Sequence, residues 1–301
     1  AYLTDNSRDY TLSSLTASID AQVKFEPTAD IGFAQNIGTL VIPMDAQVLI
    51  NDGQHRRAAI EEAIKNNPEL GYDNISVLFF IDEGLSRSQQ MFADLNKHAV
   101  RPSDSISTLY DQRDSLADLA RHVQKHVHVF SRMTEMEKSS ISNRSTKLFT
   151  LSSIKNASRA LLQKGTKDSA TKAEKDLAVA FWNEVAANMP DWQLALTKQV
   201  ASAELRDQYI HAHGVMLQAM GNVGADLVVL PKETWKRSLK KLSKIDWARV
   251  NGPWTKRSME HGKISKARAK VMLTGNYIKQ QLGLPLNAVE EEAEQDFLNE
   301  R

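Results

Sequence analysis

The sequence predicts an α+β chain: a small α/β unit at the N-terminus, then a mostly helical and basic region. Three observations carry this. Strand-length runs rich in Val, Ile, Leu and Phe fall in the first hundred residues, at 37–50 (IGTLVIPMDAQVLI) and 75–82 (ISVLFFID). After Arg101-Pro102 strand signals nearly vanish and helical periodicity takes over. Charge changes sign at the same place. Residues 1–100 carry 7 Lys+Arg against 14 Asp+Glu, residues 101–175 carry 14 against 8, and residues 231–281 carry 14 against 3. The last twenty residues reverse again, with 1 against 6. Two domains are expected, 1–102 and 103–301, the second with an acidic tail.

Taken in order, a strand at 46–50 leads through Asp52-Gly53 into an amphipathic helix at 57–66, closed by Asn67-Pro68 and Gly71. The strand at 75–82 follows, then a helix at 86–96 with Ser86 or Ser88 as N-cap. Helical spacing then fits 103–110, 114–126, 153–163, 173–188, 192–201, 203–222, 232–241 and 263–282. Residues 225–230 (ADLVVL) fit a short strand or a helix end, and 165–171 a polar loop.

The 301 residues, 42% of them hydrophobic, can build a real core. The absence of cysteine excludes disulfides and thiolate metal sites. No run approaches the roughly 20 apolar residues of a membrane span. The first eight residues are polar and show no signal-peptide pattern, which fits a cytoplasmic location without membrane contact.

The run Asn51-Asp52-Gly53-Gln54-His55-Arg56-Arg57 carries the most chemistry. A strand, a glycine turn and a helix start form a recurring phosphate cradle: the glycine admits close approach, and the first-turn N–H groups and helix dipole favour an anion. Gly53, Gln54, His55, Arg56 and Arg57 are the expected phosphate or nucleic-acid contacts. Asn96, where the next helix would end, and Lys97, His98 and Arg101 on the connection after it would form a second wall. Asp-Gly is also a common turn pair, so the same run suits an ordinary corner.

In the basic segment, Lys236, Arg237, Lys240, Lys241, Lys244, Arg249, Lys256, Arg257, Lys263, Lys266, Arg268 and Lys270 are the expected DNA-backbone contacts. Trp235, Trp247 and Trp254 alternate with them; tryptophans stack on bases, but in helices they more often anchor the core. Tyr110-Asp111-Gln112-Arg113-Asp114 suggests a buried Arg–Asp pair joining the two regions. His122 and His126 share a helix face, yet Val123, Gln124 and Lys125 between them offer no carboxylate at metalloprotease spacing, so no metal site is expected. His211 and His213 suit packing or capping. No Gly-x-Ser-x-Gly elbow or Walker-type loop occurs.

Together "GTLVIP" at 38–43, "INDGQHRRAAI" at 50–60, "SQQMFADLNKHAVRPS" at 88–103, "LYDQRD" at 109–114, "RSTKLFTLS" at 144–152 and "IDWARVN" at 245–251 resemble the DndB family of bacterial DNA phosphorothioation systems. That family belongs to the DGQHR-domain group, which is similar to the ParB/sulfiredoxin fold. The resemblance implies a double-stranded DNA-binding repressor acting on the promoter of its own modification genes. A homodimer would suit a palindromic operator, and other phosphorothioation proteins would be partners. It also implies a longer N-terminus in family members, so this chain, which starts without Met, is expected to be a fragment.

A second reading is a ParB-like nucleotidase or a DNA nickase, with ATP or CTP and magnesium as ligands and Asp52, His55 and Arg56 at the site. Gln54 and His55 depart from the ParB-type Gly-Glu-Arg-Arg run, and no carboxylate directly follows Gly53. A third reading is a scaffold for the modification enzymes, its acidic parts meeting a basic partner or covering the basic segment.

Overall fold

The computed structural model describes residues 2–85, 87–97 and 102–299, with the side chains of Gln89, Asn96 and Lys97 outside that description. The architecture is α+β, as the sequence predicts. Two compact units divide the chain, Ala1–Arg101 and Pro102–Arg301.

In the first unit the order is α1 (Tyr2–Asp5), β1 (Leu15–Asp20), β2 (Lys24–Pro27), β3 (Gly38–Val41), β4 (Gln47–Asp52), α2 (Gln54–Asn66), β5 (Val77–Ile81) and α3 (Ser88–Lys97). The main sheet has the order β4-β1-β5. β1 runs antiparallel to β4 and parallel to β5, pairing Ser18 with Leu49 and with Phe80. β1 was not foreseen, because Thr16 and Ser18 hide its strand character, yet it is the central strand and four of its residues are buried. The apolar run at 37–50 is not one strand. A turn at Pro43, whose carbonyl accepts from the Ala46 N–H at 3.1 Å, breaks it. β3 therefore joins β2 in a separate hairpin sheet, and β4 joins the main one. Many apolar side chains of this unit stay exposed, Val48, Leu78 and Phe80 on the sheet among them.

In the second unit come α4 (Asp104–Tyr110), α5 (Ser115–His126), α6 (His128–Met133), β6 (Thr134–Glu135), β7 (Phe149–Thr150), α7 (Leu151–Leu161), α8 (Lys172–Ala187), α9 (Pro190–Leu196), α10 (Ser202–Gln208), α11 (Gly214–Leu227), α12 (Lys232–Leu239), β8 (Met259–Glu260), β9 (Lys263–Ile264), α13 (Arg268–Leu282) and α14 (Ala288–Asn299). Their caps are local chemistry. Ser103, Asp114 and Thr150 accept first-turn N–H groups of α4, α5 and α7, and Thr171 and Glu174 close a capping box on α8.

α11 packs against α7 on one side and α13 on the other, the centre of a core with Trp182, Trp192, Trp235 and Trp254 fully buried. Three of these indoles donate to named acceptors: Trp182 to Ser158 Oγ and Trp192 to His211 Nδ1, both at 3.2 Å, and Trp254 to the Asp246 carbonyl at 2.8 Å. Trp247 stacks on Trp254 at 5.2 Å, so the tryptophans of the basic segment are core anchors.

The expected helix at 203–222 is two helices. Tyr209 bridges to Ala248, and buried His211 binds the Asp191 carboxylate at 2.8 Å, which breaks the run before α11. The expected helix at 263–282 begins only at Arg268, because Lys263–Ile264 pairs with Met259–Glu260. Residues 225–227 end α11 rather than form a strand. The short α6 and the acidic α14 were not foreseen. Among the described residues no helix is long and apolar enough to cross a membrane.

Candidate phosphate and nucleic-acid surfaces

The corner between β4 and α2 is built around Gly53, which adopts φ +105°, a left-handed conformation that L side chains rarely take. A Cβ there would lie 2.4 Å from the Leu15 side chain. Two residues earlier, buried Asn51 accepts from Ser18 Oγ at 2.9 Å and donates to the Ser88 carbonyl at 3.1 Å. It thereby ties β4 to β1 and α3. Asp82 fixes the same place by accepting from Ser88 Oγ at 2.9 Å.

The cations of the corner have different fates. Arg56 forms an ion pair with Asp52 and donates to the carbonyls of Ser13 at 3.0 Å and Ser14 at 2.7 Å. Its guanidinium is thus tied to the unit's own chain, although Arg56 still lines the depressions beside the turn. Gln54 Nε2 turns back to the Ile50 carbonyl at 2.9 Å, and Arg57 pairs with Glu61 at 2.6 Å on the surface. His55 is exposed and lines depressions of about 300 and 510 Å³ on either side of the turn. No side chain caps α2. An anion here would meet first-turn N–H groups and His55, a weaker set than three free cations. Asp52 and Arg56, two of the three groups expected for catalysis, are paired with each other. The side chains of Asn96 and Lys97, and all of His98 and Arg101, lie outside the described residues.

The basic segment is partitioned as well. On α12 and the following turn, Trp235, Leu239 and Leu242 face the core while Arg237, Lys240 and Lys244 face solvent, with Lys236 half-buried beside them. Among the described residues none of these four cations meets a carboxylate. Lys256, Lys263 and Arg268 are exposed too. Lys241 donates to the Leu282 carbonyl at 2.6 Å, capping α13, and Lys270 to the Lys256 carbonyl at 2.6 Å. Arg249 reaches the carbonyls of Asp207 and Gly262.

Arg257, expected at a DNA phosphate, is only 6% exposed. Its guanidinium grips both oxygens of Glu294 and lies 4.2 Å from the Phe297 ring centre. Burial pushes the Glu294 carboxyl up, but the Arg257 pair outweighs it and holds it below the usual range. Lys279 is likewise buried between Glu290 and Asp226. The acidic tail is therefore a folded helix that neutralises two cations of the basic segment.

The run Tyr110–Asp114 holds no buried Arg–Asp pair: Asp111 and Arg113 are exposed, and Asp114 caps α5 and pairs with Lys155. His122 lies 3.8 Å from Asp176, and burial, then His126, pushes its pKa down. No cluster among the described residues could hold a metal.

The fold and these surfaces define an α+β protein with a glycine corner of DGQHR type and a lysine-lined helical unit. The chain belongs to the DndB family, described as DNA-sulfur modification-associated, whose model matches residues 1–285 of 301. It therefore has a role in DNA sulfur modification, alongside the other proteins of such systems. A search of curated proteins found no match, and a search of solved structures found none.

Proposed function

We propose that the chain is a DNA-binding regulator of a DNA sulfur-modification system, repressing the modification genes from their promoter. The observation that carries this reading is the exposed row Arg237, Lys240 and Lys244, without carboxylate partners among the described residues, in a chain of this family. Such a row supplies phosphate contacts whose affinity falls with salt. The test is fluorescence anisotropy with promoter and random duplexes between about 50 and 200 mM salt. The triple substitution Arg237→Ala, Lys240→Ala, Lys244→Ala is expected to weaken both complexes and reduce the salt slope by roughly 2 to 3. An unchanged slope would remove this surface, and equal affinity for promoter and random duplex would remove the repressor.

A second reading keeps nucleotide binding at the corner, since α2 is uncapped and His55 is exposed there. Calorimetry with ATP or CTP and Mg²⁺ would then show binding that His55→Ala weakens. Hydrolysis has less support, because Asp52 is paired with Arg56.

A further inference from the structure

The second unit contains a cavity of about 740 Å³ between α7, α10 and the start of α11, bordered by Thr150 and Arg249 from two of the stretches that carry the family resemblance. Its size lies within the roughly 300–1,000 Å³ of small-molecule sites. Arg206 shapes one wall, donating to the carbonyls of Ser142, Asn143 and Ser145 at 3.0–3.2 Å. The guanidinium is held by the backbone, so its charge remains without a carboxylate partner among the described residues.

Lys266 also lines this cavity, and its ammonium has a single long contact, 3.5 Å to Ser153 Oγ. No described carboxylate pairs with it. The residue as a whole is exposed, yet partial desolvation of its ammonium lowers its pKa, and no neighbouring charge offsets that shift. The ammonium stands at the first turn of the 14-residue α11: a Cβ on Gly214 would lie 3.0 Å from Lys266 Nζ and 2.6 Å from Ser153 Oγ. No side chain caps α11, and the N–H groups of Gly214 and Val215 have no hydrogen-bond partner among the described residues, although Val215 is fully buried. A cation beside the positive end of a helix is repelled unless an anion lies between them. The donors gathered here are a lysine ammonium, a serine hydroxyl and two backbone N–H groups, the set that fits a phosphate. Elsewhere the wall is mixed. Phe149, Ala212 and Ile264 offer apolar surface, while Glu204 and Asp207 would repel a long polyanion.

We infer that this cavity binds a small phosphorylated ligand of nucleoside-monophosphate type, its phosphate between Lys266 and the first turn of α11. The site is separate from both the corner and the α12 row. The phosphate could also come from DNA, so calorimetry is run on the full chain with inorganic phosphate, AMP, CMP and a duplex oligonucleotide. AMP or CMP should bind one per chain, in competition with inorganic phosphate. Lys266→Met, which keeps the stem and removes the charge, should weaken that binding about tenfold or more with an unchanged circular dichroism spectrum. Gly214→Ala should weaken it too, and Lys244→Ala should leave it intact. Absence of binding by all three small probes overturns the inference, as does equal binding by Lys266→Met. An effect of Lys266→Met on duplex binding alone overturns it as well. The promoter result with the α12 triple variant is read independently of all these.

Discussion

Gly53 shows how much one residue can settle. Its left-handed backbone and its contact with Leu15 leave no room for a side chain. Gly53→Ala is expected to destabilise the first unit by roughly 2–3 kcal/mol, measured by denaturant unfolding. His213 makes the second residue-scale prediction. Burial pushes its pKa down to about 4, against the opposing hydrogen bond that Nε2–H donates to the Arg206 carbonyl. The unfolded chain therefore binds a proton that the folded chain refuses between the ordinary value of 6.5 and about 4. Stability is full above that window and falls as pH drops through it, by up to about 3 kcal/mol. His213→Gln should remove this part of the acid sensitivity in unfolding curves across the window. The sequence revealed the glycine because its constraint is local. It gave no sign that Arg56 serves the carbonyls of Ser13 and Ser14, since those partners are remote along the chain.

At the scale of elements, α14 is the informative case. Its charges alone suggested an acidic tail without a helix, because only the packed structure reveals that Glu294 and Phe297 face inward. Glu294→Gln would leave the buried Arg257 charge uncompensated, and a loss of about 3–5 kcal/mol is expected in thermal or denaturant unfolding. The double variant Arg257→Met, Glu294→Leu should recover most of it, since an apolar pair of similar size avoids the desolvation cost. The helices α5 and α8 were readable to within one residue because capping side chains mark their starts. β1 was not, since a central strand need not alternate and its pairing partners lie far along the chain. The break before α11 depends on His211 meeting Asp191, a contact no local pattern announces.

For the whole molecule, net charge is a poor measure of available charge. Residues 231–281 carry 14 Lys+Arg, yet Arg257 and Lys279 are neutralised internally by buried ion pairs. The salt slope for duplex binding should therefore fall short of what the composition implies. Measuring it for wild type, Lys244→Ala and Arg257→Met would expose the difference: a lower slope for the first substitution, and for the second a loss of stability without a change of slope. The corner at Gly53 leads to a broader consequence. Its recognisable letters are required by folding, because Arg56 fastens a distant segment and Gly53 makes room for a leucine. Such a corner identifies a fold before it identifies a chemistry, and His55 is the exposed side chain that it leaves for a ligand.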